Sequence, residues 1–251
     1  MIPTATMAAM AAVLLLTVVL PMGVILFLRK HGGSWGAFFT GAGTFVLFAL
    51  ILEPVLHNLV LGSAAGAAIQ ENILLYGLYG GLAAGVFEET GRLMAFRFVL
   101  KKQGKRITAL SYGIGHGGIE AFLLVGLTMA ANLALALSAG NAALPTEAAA
   151  AVETLASTPA AMFLWSGLER ISAIALHMAN SVLVFASLRA GKRWLFPAAI
   201  LAHGAVNFAA MVSNAYLPVA ATEGIVLVLT AAVVFWAAQI YKNLPLNAEN
   251  P

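Results

Sequence analysis

"FEETGRLMAF", residues 87–96, lies within an apolar stretch long enough to cross a membrane. It places Glu88, Glu89 and Arg92 where each charge costs about 3 kcal/mol or more, so charges kept at that depth mark a functional site. What the stretch means depends on whether other segments bring polar groups to the same level.

The whole chain has the composition of a membrane protein: 61% of its 251 residues are hydrophobic and only 9% are charged. There is no cysteine, which excludes a disulfide framework, a thiolate metal site and a cysteine nucleophile. All ten acidic residues are glutamate, so proteolysis by a pair of aspartates is excluded as well. Residues 1–20 lack a basic leading region and read as a retained span, not a cleaved signal.

Apolar runs of spanning length fall at about 4–28, 35–60, 71–99, 107–137, 160–188, 194–213 and 222–241. Arg29 and Lys30 follow the first, Lys101, Lys102, Lys105 and Arg106 the third, Arg189, Lys192 and Arg193 the fifth, and Lys242 the seventh. The alternate loops, 61–70, 138–159 and 214–221, contain no lysine or arginine. The pattern predicts an all-α integral membrane protein with seven transmembrane helices, N-terminus out and C-terminus in, forming one membrane domain over 1–251. The Ala-rich loop 138–159 is expected to form a short outer helix or a linker. Gly77, Gly81 and Gly85 recur every four residues, the spacing that lets helices pack closely in lipid, and Glu89 continues that stripe.

Depth follows from about 1.5 Å of rise per helical residue. Glu88 is 13 residues before Lys101, roughly 20 Å in. His116 and Glu120 are 10 and 14 after Arg106, roughly 15 and 21 Å. His177 is 12 before Arg189 and His203 is 10 after Arg193, roughly 18 and 15 Å. Four spans therefore bring ionisable groups to one slab near mid-membrane. Glu53, His57, Glu169 and Arg170 form a shallower set nearer the outer surface, and Glu53 with His57 reads as structural. Glu88/Arg92, His116/Glu120 and His203/Asn207 are each one turn apart on a shared face. In "GIGHGGIE", 113–120, the glycines are expected to bring backbones together and to loosen the helix.

Such a layer suits hydrolysis by an activated water: a glutamate takes the proton, and histidine and asparagine donors stabilise the oxyanion. No serine sits in GxSxG and no HExxH is present, which argues against serine and zincin-type mechanisms. A proton-coupled transporter and a non-catalytic scaffold are the competing readings, since membrane Glu/His chains also relay protons.

Taken in order, the motifs EExxR (Glu88, Glu89, Arg92), HGGxE (His116, Glu120), ER with a histidine seven residues on (Glu169, Arg170, His177) and HxxxN (His203, Asn207) resemble the YhfC family. These are glutamic-type intramembrane proteases related to the type II CAAX prenyl endopeptidases and the PrsW-type proteases. The resemblance covers 71–213, which it implies is a four-helix catalytic core. It implies Glu88 as the base that activates water, tuned by Glu89 and Arg92, with His203 and Asn207 at the oxyanion. Where the endopeptidase pattern has FxxxH this chain has HxxxE, as PrsW-type proteins have FxxxE. Glu120 thus replaces a histidine, leaving His177 or His116 to carry a proton. Members are also described as metalloproteases, and Glu88, Glu120, His177 and His203 have the donor types of an open zinc site. Metal-free catalysis is the favoured reading and zinc the alternative. The expected partners are a membrane protein or peptide substrate and membrane lipid, not nucleic acid, in a bacterial or archaeal plasma membrane.

Overall fold

The computed structural model describes residues 2–139 and 145–247, and its described residues contain helices but no sheet. The elements are α1 (Thr4–Lys30), α2 (Trp35–Phe45), α3 (Glu53–Leu61), α4 (Ala64–Glu71), α5 (Ile73–Met94), α6 (Ile107–Ala121), α7 (Leu127–Ser138), α8 (Thr146–Ser157), α9 (Ala160–Arg189), α10 (Leu195–Tyr216) and α11 (Val219–Asn243). Three π-helical segments extend or join them: Val46–Leu52 between α2 and α3, Ala95–Val99 after α5, and Phe122–Gly126 between α6 and α7. Widened turns of this kind occur most often at functional sites, and each of these lies next to part of the polar layer.

Among the described residues, six helices are long and apolar enough to cross a membrane: α1, α2–α3, α6–α7, α9, α10 and α11. The third expected span is the exception. Its 22-residue helix and 5-residue π extension have the length, but Glu88, Glu89 and Arg92 lower the hydropathy of the segment. Packing nevertheless places α5 inside the bundle, antiparallel to the spanning helix α10. A Cβ on Gly85 would lie 2.6 Å from the Ile200 carbonyl oxygen, one on Gly81 2.5 Å from that of Gly204, and one on Gly77 3.2 Å from Val212. The glycine stripe therefore does what its spacing predicts: it lets α5 and α10 touch backbone to backbone, and Glu89 follows it into the packed side, fully buried.

Side-chain caps start several helices. Ser34 accepts from the Ala37 amide, Ser63 from Gly66, and Asn72 from Leu74 and Leu75 at the entry to α5. The loop expected at 61–70 contains α4, and that expected at 138–159 contains α8, with 140–144 outside the described residues.

Helix α9 is central and packs against α1, α5, α6, α10 and α11. Two apolar clusters lie along it. One holds Phe96, Tyr112, Leu183, Phe185 and Leu195 on the side of the basic loops; the other holds Met10, Val13, Met129, Leu155 and Phe163 toward the opposite side. The polar layer lies between them. Leu15, Val19, Leu59, Leu201 and Phe235 remain exposed on the outside, as lipid-facing side chains should.

The "GIGHGGIE" helix differs from expectation in one respect. Its glycines do not loosen it: α6 is a continuous helix with nearly every residue buried. Gly115 lets α2 approach until a Cβ would lie 1.9 Å from the Phe38 carbonyl oxygen, and Gly113 does the same toward α9. That close approach fixes His116 and Glu120 beside their partners.

Candidate active site

Glu88 stands at the centre of the layer. Its Oε2 accepts a 2.7 Å hydrogen bond from His116 Nε2 and lies 3.8 Å from His177 Nδ1. Its Oε1 is 3.7 Å from His203 Nε2. Four helices, α5, α6, α9 and α10, thus bring one carboxylate and three imidazoles together. The His116 and His177 ring centres are 4.7 Å apart, those of His177 and His203 5.2 Å.

The adjacent Glu89 has a different environment. It is wholly buried and accepts from three donors on three helices: Arg92, His203 Nδ1 at 2.9 Å and Asn180 Nδ2 at 3.2 Å. Arg92, also wholly buried, bonds Glu89 and His177 Nδ1 (3.1 Å), and its guanidinium lies 5.8 Å from the Tyr112 ring centre. The two neighbouring glutamates are therefore divided in kind. Glu89 is a structural hub, whereas Glu88 borders open space.

Hydrogen-bond partners set the histidine tautomers. A guanidinium only donates, so His177 Nδ1 accepts from Arg92, which leaves the proton on Nε2, in close contact with Glu120 Oε2. His203 donates from Nδ1 to Glu89, which turns Nε2 toward Glu88. His116 donates from Nε2 to Glu88, and its Nδ1 is buried without a partner.

A cavity of about 180 Å³ opens beside Glu88. Glu120, His177, His203 and Asn207 line it, with Glu169, Arg170 and the α11 residues Val226 and Thr230. Every site residue predicted from sequence thus belongs to the network or to this wall. His116 sits behind Glu88 and does not line the cavity. Asn207 lines it, and its amide has no hydrogen bond among the described residues.

The shallower set joins this centre in part. Arg170 bonds Glu120 at 2.9 Å and Glu169 through two contacts, which ties the outer pair to the deep layer. Glu53 bonds His57 at 3.2 Å, and Tyr79 donates to the other His57 nitrogen at 2.9 Å. Sequence reasoning missed Asn180, although it stands three residues after His177 on the same helix, because it weighed ionisable groups before amides. It also missed Thr230, which lines the cavity, since α11 carries no histidine or arginine to mark it.

The donor set fits a catalytic metal. One ligand atom each from Glu88, His116 and His177 lies within 4.8 Å of the others, giving two nitrogens and one oxygen, and Glu88 and His177 also line the cavity. His203, with Nδ1 on a carboxylate and Nε2 toward Glu88, has the arrangement usual for a metal-binding imidazole. The group differs from the four donors expected from sequence: Glu120, engaged by His177 and Arg170, and His203 lie outside it, and His116 enters it.

Comparison with known proteins agrees with this geometry. A family model described as "YhfC intramembrane metalloprotease" matches residues 16–229. The uncharacterized membrane protein YhfC of Bacillus subtilis (strain 168) is 35% identical over 235 residues, covering 86% of this chain and 89% of that protein. No solved structure matches.

Proposed function

Because the chain belongs to the YhfC intramembrane metalloprotease family, we propose that it hydrolyses a peptide bond of a membrane-embedded protein at Glu88. One observation supports this above others: an acidic side chain on a cavity wall, in the membrane, with three imidazoles within 4 Å of its oxygens. A transporter would not require an amide and an imidazole side by side on that wall, as His203 and Asn207 are.

Glu88 removes a proton from a water in the cavity, and the resulting hydroxide attacks the carbonyl carbon. Negative charge develops on the carbonyl oxygen. His203, from Nε2, and the free Asn207 amide donate to it. The C–N bond then breaks, and the proton held at Glu88 passes to the leaving amine. Glu89 orients His203, Arg92 orients His177, and Glu120 with His177 provides the route by which a second proton enters or leaves.

The Glu/His/His group also supports a zinc-dependent form of the same reaction. Glu88, His116 and His177 would hold the ion, which supplies carbonyl polarisation and a more acidic water. In that form Glu88 is a ligand, and of the cavity carboxylates left, Glu120 and Glu169, Glu120 stands against His177 and would take the proton. We take the whole chain as one membrane domain of the plasma membrane, with residues 71–213 as its catalytic core.

The test compares protein N-termini in membranes of cells expressing the wild-type chain or Glu88→Gln. New N-termini that appear only with the wild type are expected. Identical sets with both proteins folded and expressed would refute proteolysis.

A further inference from the structure

The last helix carries polar groups that the mechanism above does not use. Thr230 lines the cavity, is 2% exposed, and its Oγ1 has no hydrogen-bond partner. Ser172 and Thr222 are also buried without a partner, but Thr230 is the one of the three that lines the cavity. Thr17, Thr44, Ser181 and Ser213 all donate to a carbonyl three or four residues back in their own helix. A helical threonine ordinarily does so, because an unpaired buried hydroxyl costs free energy that back-bonding avoids. Thr230 leaves that bond unmade, and its residue borders the cavity.

The substrate supplies the reason. A peptide bond in a membrane helix is shielded by the helix, and cleavage requires local unwinding. Each backbone N–H or C=O freed in that way is costly in a medium without water unless the protein meets it. Catalysis already occupies His203 and Asn207 on α10. The facing wall is α11, where Val226 and Thr230 stand one turn apart.

We infer that Thr230 is a substrate-binding residue that hydrogen-bonds the unwound substrate backbone beside the scissile bond, making α11 the second wall of the substrate cleft. The inference rests on the proteolytic reading and adds a residue outside the segment whose motifs identify the site. The ligand class follows from the chemistry: an extended, non-helical stretch of main chain, with an apolar side chain against Val226.

The experiment uses the purified full-length chain in vesicles and a defined probe, a 21-residue leucine-rich transmembrane peptide with a Gly-Pro break at its centre and a fluorophore–quencher pair. Thr230→Val keeps the side-chain shape and removes the hydroxyl. It is expected to raise KM about 3- to 10-fold with kcat little changed, the signature of lost ground-state binding, and Thr230→Ser should restore KM. In detergent without peptide, Thr230→Val should unfold at the wild-type temperature or above it, because no partner is lost. An unchanged KM, or a lower unfolding temperature for the valine variant, would overturn the inference alone. A wild-type chain that leaves the probe intact would overturn the proteolytic reading beneath it.

Discussion

Replacing Glu89 by glutamine keeps the shape of the side chain and an acceptor oxygen, but removes the charge that Arg92 faces. Both side chains are 0% exposed, so no water can take over the guanidinium. Breaking a buried ion pair from one side costs about 3–5 kcal/mol. For a chain of this length that corresponds to an unfolding temperature lower by roughly 6–20 °C. His203 and Asn180 also lose a charged acceptor. The neighbouring change, Glu88→Gln, disturbs one hydrogen bond from His116 and should cost only about 1 kcal/mol. Unfolding of both variants and the wild type, followed by differential scanning fluorimetry in one detergent, gives the comparison directly. The double variant Glu89→Gln/Arg92→Met should recover part of the loss, since it leaves no unpaired charge. If Glu89→Gln unfolds within a degree or two of Glu88→Gln, Glu89 is not the hub described above and the division between the two glutamates fails.

Asn207→Ala should lower kcat by about 10²–10³ while leaving stability unchanged, because its amide donates only to the developing oxyanion; kinetics on any peptide the wild type cleaves will show it. Gly115→Ala should destabilise the fold by about 1–3 kcal/mol or more, as its Cβ meets the Phe38 carbonyl oxygen, whereas Gly43→Ala, with nothing within 4 Å, should not; the yield and unfolding temperature of each decide. Dialysis against a chelator separates the two forms of the chemistry. Activity that persists with no bound metal leaves Glu88 as the base, whereas activity that is lost and restored by zinc assigns that role to Glu120, with Glu120→Gln then inactive but still metal-loaded.

Much of this architecture was legible in the sequence because lipid imposes simple rules. Basic residues at alternate span ends set the topology expected, and distance from those ends found the depth at which Glu88, His116, His177 and His203 meet. The glycine stripe of α5 foretold a close helix contact, which is made with α10, and the burial of Glu89. Spacing along one helix could not say which residues pair across helices. His116 and Glu120 are one turn apart, yet the first bonds Glu88 and the second His177 and Arg170. Nor could a pattern of charges reveal Asn180 or Thr230, whose importance lies in what stands opposite them. The hydropathy of α5 is low for the same reason that the helix matters: the residues that reduce it are those of the site.

The three π-helical segments have a consequence for how such chains diverge. A π turn holds one more residue than an α turn, so losing or gaining a residue there interconverts the two. Either way the segment completes one turn, so the residues beyond it keep their faces, whereas one residue added to or lost from an α segment rotates everything beyond it by about 100° around the helix axis. Elsewhere in a span such a change would turn the site residues away from one another. At Phe122–Gly126 it would leave α7 aimed as it is, with His116 and Glu120 held by the packing of α6. Single-residue gaps between related chains should therefore gather at Val46–Leu52, Ala95–Val99 and Phe122–Gly126, and α9 and α10, which have no widened turn, should keep their length.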